Sequence, residues 1–126
     1  MRGKKILIID DDEAMLTMLE EYFSDLGLFV HVYRSAAKVV SELSAQDLSE
    51  IEVIITDVHM PSMGGLEFLD WLQSQRKVPA ILISAFGSQE LEAQALGRGA
   101  HSFIKKPFSL YDLKKAVESA LLQSAS

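Results

Sequence analysis

The sequence predicts an α/β protein, a doubly wound five-stranded parallel sheet in the order 2-1-3-4-5 with five helices. Three observations support this. Five short apolar runs rich in Ile and Val alternate with longer segments of helical period, the pattern of repeated strand-helix units covered on both faces. Four of the five runs end in carboxylates, a hydroxyl or lysines, which suits a sheet whose ligand site lies beyond its carboxyl edge. At 126 residues with no cysteine, the chain is long enough to bury a core without staples. One domain is expected over 1-126, structured from about 4 to about 122.

The first strand is read at Lys5 to Ile9 and is closed by Asp10, Asp11 and Asp12. Glu13 to Leu26 then carries Met15, Met18, Leu19, Tyr22, Phe23 and Leu26 at helical spacing, and Gly27 supplies the stop. Asp12 and Glu13 suit the start of that helix, where carboxylates accept from orphan amides and complement the dipole. The second strand, Phe29 to Tyr33, leads into Arg34 without a comparable cluster. Ser35 can cap a second helix carrying Val39, Val40 and Leu43.

The third strand, Val53 to Thr56, delivers Asp57, and Gly65 precedes a third helix with Leu66, Phe68, Leu69 and Leu72 on one face. Ala80 to Ser84 forms the fourth strand, followed by a fourth helix over roughly Ser88 to Arg98. Ser102 to Lys105 forms the fifth and leads into Lys106. Ser109 begins a fifth helix, with Leu110, Leu113, Val117 and Leu121 along one stripe. The polar tail Gln123 to Ser126 admits a linker continuing beyond it.

Composition narrows the function classes. Eighteen acidic against twelve basic residues give a net charge of -6, the wrong sign for holding nucleic acid through its phosphates. The basic start Met1-Arg2-Gly3-Lys4-Lys5 is followed by only four apolar residues before the acids, too few for an export signal. No run approaches the roughly 18 apolar residues that would span a bilayer. With no thiol, a disulfide framework and a cysteine-based zinc site are both excluded, and a cytoplasmic setting is the default expectation.

In the order 2-1-3-4-5 the first and third strands are neighbours at the switch point, so Asp10 and Asp11 should lie beside Asp57. Two carboxylates about 5 Å apart repel by roughly 3 kcal/mol at an effective dielectric near 20. Such a cluster needs a counter-charge. Converging oxygens with no histidine or cysteine partner favour a hard dication, Mg²⁺ or Mn²⁺, which leaves positions for water or phosphate. Lys106 and Ser84 reach the same edge and could hold phosphoryl oxygens. The chemistry suggested is attack by a carboxylate on phosphorus, with Asp57 as nucleophile and the Asp10-Asp11 pair holding the metal.

These residues carry a family resemblance. Ile9-Asp10-Asp11, then Asp57-Val58-His59-Met60-Pro61 with Gly65, then Ser84-Ala85, then Lys106-Pro107-Phe108 resemble the receiver domain of two-component response regulators, in order and spacing. The resemblance covers nearly the whole chain. It implies that Asp57 accepts a phosphoryl group from the phosphohistidine of a sensor histidine kinase or phosphotransfer protein. Asp11, Asp57 and the main-chain carbonyl of His59 would bind Mg²⁺, with Asp10 acting through water. Lys106 would hold one phosphoryl oxygen and Ser84 another, while Phe103, at the switch aromatic, would move inward behind Ser84. Lacking a hydroxyl, Phe103 can make no side-chain hydrogen bond when outward.

The resemblance further implies an output face on the fourth helix, fifth strand and fifth helix, a phosphorylation-dependent homodimer as one use of it, and a cis bond before Pro107. His59 and Phe86 occupy positions that tune hydrolysis, and bulky Phe86 is expected to slow it. Gly64 and Thr17 depart from residues frequent in the family, Asp and Arg, without touching this chemistry. The domain is expected to be a phosphorylated acceptor and not a turnover enzyme.

Read without the family, His59 is a loop surface residue, His31 and His101 are structural or solvent-facing, Phe103 is ordinary core, and Lys105 is a solvated neighbour of Lys106. Three rival functions are weighed. A phosphatase of the haloacid dehalogenase type would use Asp10 as nucleophile but needs more chain and a later acidic pair. A flavodoxin-like cofactor binder shares the architecture, yet three acids in the first loop repel phosphate. A degenerate receiver serving only as a docking module is disfavoured by the complete acceptor set.

Overall fold

The five apolar runs form one parallel sheet. A computed structural model, describing residues 1–125, arranges β1 (Lys5–Ile9), β2 (Phe29–Tyr33), β3 (Val53–Asp57), β4 (Ala80–Ser84) and β5 (Ser102–Lys105) in the expected order, β2-β1-β3-β4-β5. The connections hold α1 (Glu13–Asp25), α2 (Ala36–Glu42), α3 (Ala45–Glu50), α4 (Gly65–Gln75), α5 (Gln89–Gly97) and α6 (Leu110–Ala125). None of the described helices is long and apolar enough to cross a membrane.

Side-chain alternation along each strand divides the interior into two cores. Ile6 and Ile8 of β1, with Ile55 and Ile83, pack against Leu19 and Phe23 of α1 and Leu113 and Val117 of α6. Leu7 and Ile9, with Ile54 and Leu82, face the other way onto Val39, Phe68, Leu69 and Leu72 of α2 and α4. Every residue of β3 and β4 is buried, which explains why these strands are almost continuously apolar. The edge strand β2 has no fully buried residue and leaves Phe29 and His31 exposed.

The expected count of five helices is corrected to six among the described residues. Leu43 turns extended at φ -75° and ψ 126°, ending α2, and Ser44 starts α3. Ser44 Oγ accepts from the Asp47 amide at 3.0 Å while the Asp47 carboxylate accepts from the Ser44 amide at 3.3 Å. This reciprocal capping box satisfies two donors that a continuous helix would instead bond internally. At the far end of α3, Arg76 donates to the carbonyls of Leu48 and Ile51 at 2.7 and 3.3 Å, giving the orphan acceptors a partner. The helices expected as fourth and fifth are therefore α5 and α6.

Tight turns carry the strand ends to the site. Asp12 caps α1 by accepting from Ala14 and Met15, as anticipated. After Asp57 the chain folds back so closely that the Gly65 amide donates to the Val58 carbonyl at 2.8 Å. A Cβ on Gly65 would sit 2.6 Å from the Asp57 carbonyl oxygen and 2.9 Å from Val58 Cα, so only glycine allows α4 to begin there. The Lys106-Pro107 bond is cis, as the resemblance implies.

Gly65→Ala is accordingly expected to destabilise the fold by about 1 to 3 kcal/mol, because main-chain atoms must shift. Gly97→Ala, at a helix position where a Cβ meets nothing within 4 Å, should instead gain up to about 1 kcal/mol. Urea unfolding of the two variants checks both signs.

Candidate functional site

Register brings the polar residues together. Ile9 pairs with Thr56, so the next residues along, Asp10 and Asp57, stand side by side beyond the β1-β3 ladder. Ser84 pairs with Lys105, which places Lys106 one step beyond. Three main-chain bonds extend the ladders past the strands and fix these ends: Asp10 amide to Tyr33 carbonyl at 3.1 Å, Val58 to Ile83 at 2.9 Å, and Lys106 to Ser84 at 2.8 Å.

Asp10, Asp11 and Asp57 each offer a carboxylate oxygen, all within 4.8 Å of one another. Asp10 and Asp57 are buried, at 3% and 7% exposure, whereas Asp11 faces solvent. The Lys106 ammonium lies 3.6 Å from Asp10 Oδ2 and 3.9 Å from Asp57 Oδ1. These distances allow electrostatic attraction but fall outside direct hydrogen bonding. One ammonium stands against a cluster of three carboxylates, beside two of them, so the centre lacks positive charge.

Burial pushes the Asp10 carboxyl above its ordinary value, and the charges of Asp57 and Asp11 add to the rise against the Asp12 amide and Lys106. The Asp12 amide donates to Asp10 Oδ1 at 2.9 Å. Asp57 is likewise raised, chiefly by burial and then by Asp11, while Lys106 and the amides of Val58 and His59 oppose this. An all-oxygen donor set with excess negative charge fits Mg²⁺ or Mn²⁺ and does not fit a metal that prefers nitrogen or sulfur.

Ser84 is fully buried at the end of β4. Its oxygen accepts from the Phe86 amide at 3.0 Å and lies 3.1 Å from His59 Nε2. His59 is an exposed loop residue, as read without the family, but its imidazole contact with Ser84 was not anticipated. Phe86 is 73% exposed and meets the His59 ring edge-on, with centroids 5.3 Å apart. Phe103 pairs with Leu82 in register and is half-buried against the core that includes Ala95 of α5. Lys105 is exposed, and His101 bonds the hydroxyls of Ser102 and Ser119 away from the acids.

A family model for the response regulator receiver domain matches residues 6–118. The chain belongs to this family. Over 121 residues it is 33% identical to the response regulator protein TodT of Pseudomonas putida, covering 95% of this chain and 52% of TodT. The regulatory protein AtoC of Escherichia coli is 32% identical over 125 residues, covering 95% of this chain and 26% of AtoC. The receiver domain thus spans about half the length of TodT and a quarter of AtoC. Among solved structures, a response regulator receiver domain protein from Clostridium thermocellum superposes with a TM-score of 0.90 at 24% identity, covering 97% of each chain, which supports the fold. The chemotaxis protein CheY4 of Vibrio cholerae superposes at 0.82 with 29% identity, covering 94% of this chain and 98% of that one.

Since the folded-state pKa of Asp57 lies above its ordinary value of 3.8, the fold disfavours the ionised carboxylate. Stability is therefore lost as pH rises from that value through the raised one. Without dications, Asp57→Asn should be more stable than the wild type at neutral pH, by up to about 2 kcal/mol once the lost Lys106 attraction is counted. The gap should close below the ordinary carboxyl value, and urea unfolding at the two pH values measures it.

Proposed function

We propose that this receiver domain accepts a phosphoryl group on Asp57 from the phosphohistidine of a sensor histidine kinase or phosphotransfer protein, and that the modification alters the surface formed by α5, β5 and α6. The observation that carries this reading is the convergence of Asp57, Asp10 and Asp11 with Lys106 at one strand edge. Membership of the family and the likeness to named response regulators support it.

In the transfer, an Asp57 carboxylate oxygen attacks phosphorus while the P–N bond to the donor imidazole breaks, and the electron pair leaves with the imidazole. Asp57 is the best placed nucleophile because it ends a fully buried strand with its main chain held by the β3-β4 ladder. Held by Asp11, Asp57 and the main-chain carbonyl of His59, with Asp10 acting through water, Mg²⁺ or Mn²⁺ would supply the charge that neutralises the transferring group. Lys106 adds a positive charge for one phosphoryl oxygen, and Ser84 can donate its hydroxyl to another.

The phosphoryl group brings negative charge and acceptor oxygens, and drawing Ser84 toward it alters the loop after β4. Phe103, beside Leu82 on β5, is the side chain placed to follow. α5 exposes Leu96 and α6 exposes Tyr111, apolar surface open to an effector protein or a second copy.

Incubation with acetyl phosphate and Mg²⁺ should add one phosphoryl group by intact mass to the wild type and none to Asp57→Asn. No adduct, or an equal adduct in the variant, would return the domain to the docking-module reading. Phe86 overhangs His59 and cannot orient a water, so Phe86→Glu is expected to shorten the aspartyl-phosphate lifetime several-fold. An unchanged decay rate after removal of the phosphodonor would count against that role.

A further inference from the structure

Two partners hold the Ser84 oxygen, from opposite sides of its hydrogen-bonding capacity. A hydroxyl has one proton to donate and two lone pairs. The Phe86 amide takes one lone pair, and the second contact is His59 Nε2 at 3.1 Å. Among the described residues no other partner reaches this buried oxygen. With the ring proton on Nδ1, Nε2 accepts from the Ser84 hydroxyl, whereas with it on Nε2 the Ser84 O–H has no acceptor among the described residues. The Nδ1-protonated tautomer is therefore the one that satisfies the Ser84 hydroxyl. Phe86 also packs its ring edge-on against the imidazole, at an interplanar angle of 80°, which helps to hold the ring in place.

We propose that the His59 side chain is a positioning residue that occupies the Ser84 hydroxyl in the unphosphorylated domain and competes with the phosphoryl group for its single proton. This rests on Asp57 as acceptor and Ser84 as the responding hydroxyl. Phosphoryl oxygens without a proton only accept, so Ser84 cannot serve both partners at once. The imidazole thereby biases the domain toward its resting arrangement, although the two residues are 25 positions apart, His59 in the loop after β3 and Ser84 at the end of β4. Only the main-chain carbonyl of His59 is assigned to the metal, and a side-chain substitution retains it.

The test is the affinity for beryllium trifluoride, a phosphoryl analogue, in the presence of Mg²⁺, read from amide chemical shifts. His59→Ala removes the competing acceptor and should tighten binding about three- to tenfold, the worth of one neutral hydrogen bond. His59→Gln, which can still accept through its amide oxygen, should return toward the wild-type value. In a Ser84→Ala background, His59→Ala should have no effect. Unchanged or weaker binding by His59→Ala overturns the proposal, as does an equal gain without the Ser84 hydroxyl. Binding by the wild type that is lost in Asp57→Asn keeps the acceptor reading whatever His59 does. Equal binding by Asp57→Asn removes that reading and the competition with it.

Discussion

Three converging carboxylates, with one ammonium beside two of them, are the constraint on which the site depends. Two of them, Asp10 and Asp57, are buried, so water screens their repulsion poorly. At the separations involved a single pair costs about 3 kcal/mol, a sizeable share of the roughly 5 to 15 kcal/mol that stabilises a domain. Such groups stay together only if the frame that holds them is stiff. The fully buried β3 and β4, with cores on both faces, provide it, and the main-chain bonds from Asp10, Val58 and Lys106 carry that stiffness just past the strands.

That stiffness also explains why so much was legible beforehand. A buried parallel strand must be apolar along its length, so the charges at its end stand out, and the doubly wound order then determines which ends meet. Asp10, Asp57, Ser84 and Lys106 follow from that logic. The break between α2 and α3 had a local signal, Ser44 three residues before Asp47, but the stripe of Val39, Val40 and Leu43 suggested a single helix. The clasp of Arg76 on the Leu48 and Ile51 carbonyls spans more than 20 residues and leaves no local signature. His59 is exposed in its loop as expected, but its contact with Ser84 was the more consequential miss. Its imidazole reaches Ser84 only because two turns fold toward each other, and no periodicity dictates side-chain direction in a loop.

The elements around the site are unequally anchored. α4 buries Gly65, Phe68, Leu69 and Leu72, whereas α5 fully buries only Ala95. The ion pair between Arg98, at the end of α5, and Asp70 of α4 is 3.0 Å long but exposed on both sides, and such pairs contribute about 0 to 1 kcal/mol. The loop from Ser84 to Ser88 therefore joins a rigid strand to a weakly held helix. Force applied at Ser84 meets high resistance along β4 and low resistance toward α5.

This asymmetry gives the proposed signal a direction. Charge arriving at Asp57 acts on a nearly immobile edge, where the carboxylates and Lys106 are fixed by register and cannot relax far. The Ser84 hydroxyl has an alternative partner close by, so exchanging His59 for a phosphoryl oxygen costs little in hydrogen bonds and involves mainly the loop. Phe103 stands half-buried beside Leu82, against the core that Ala95 joins from α5, where a loop shift changes the space available to its ring. A balanced exchange of one proton between two acceptors needs only a modest push, and the weakly anchored α5 lies next to it.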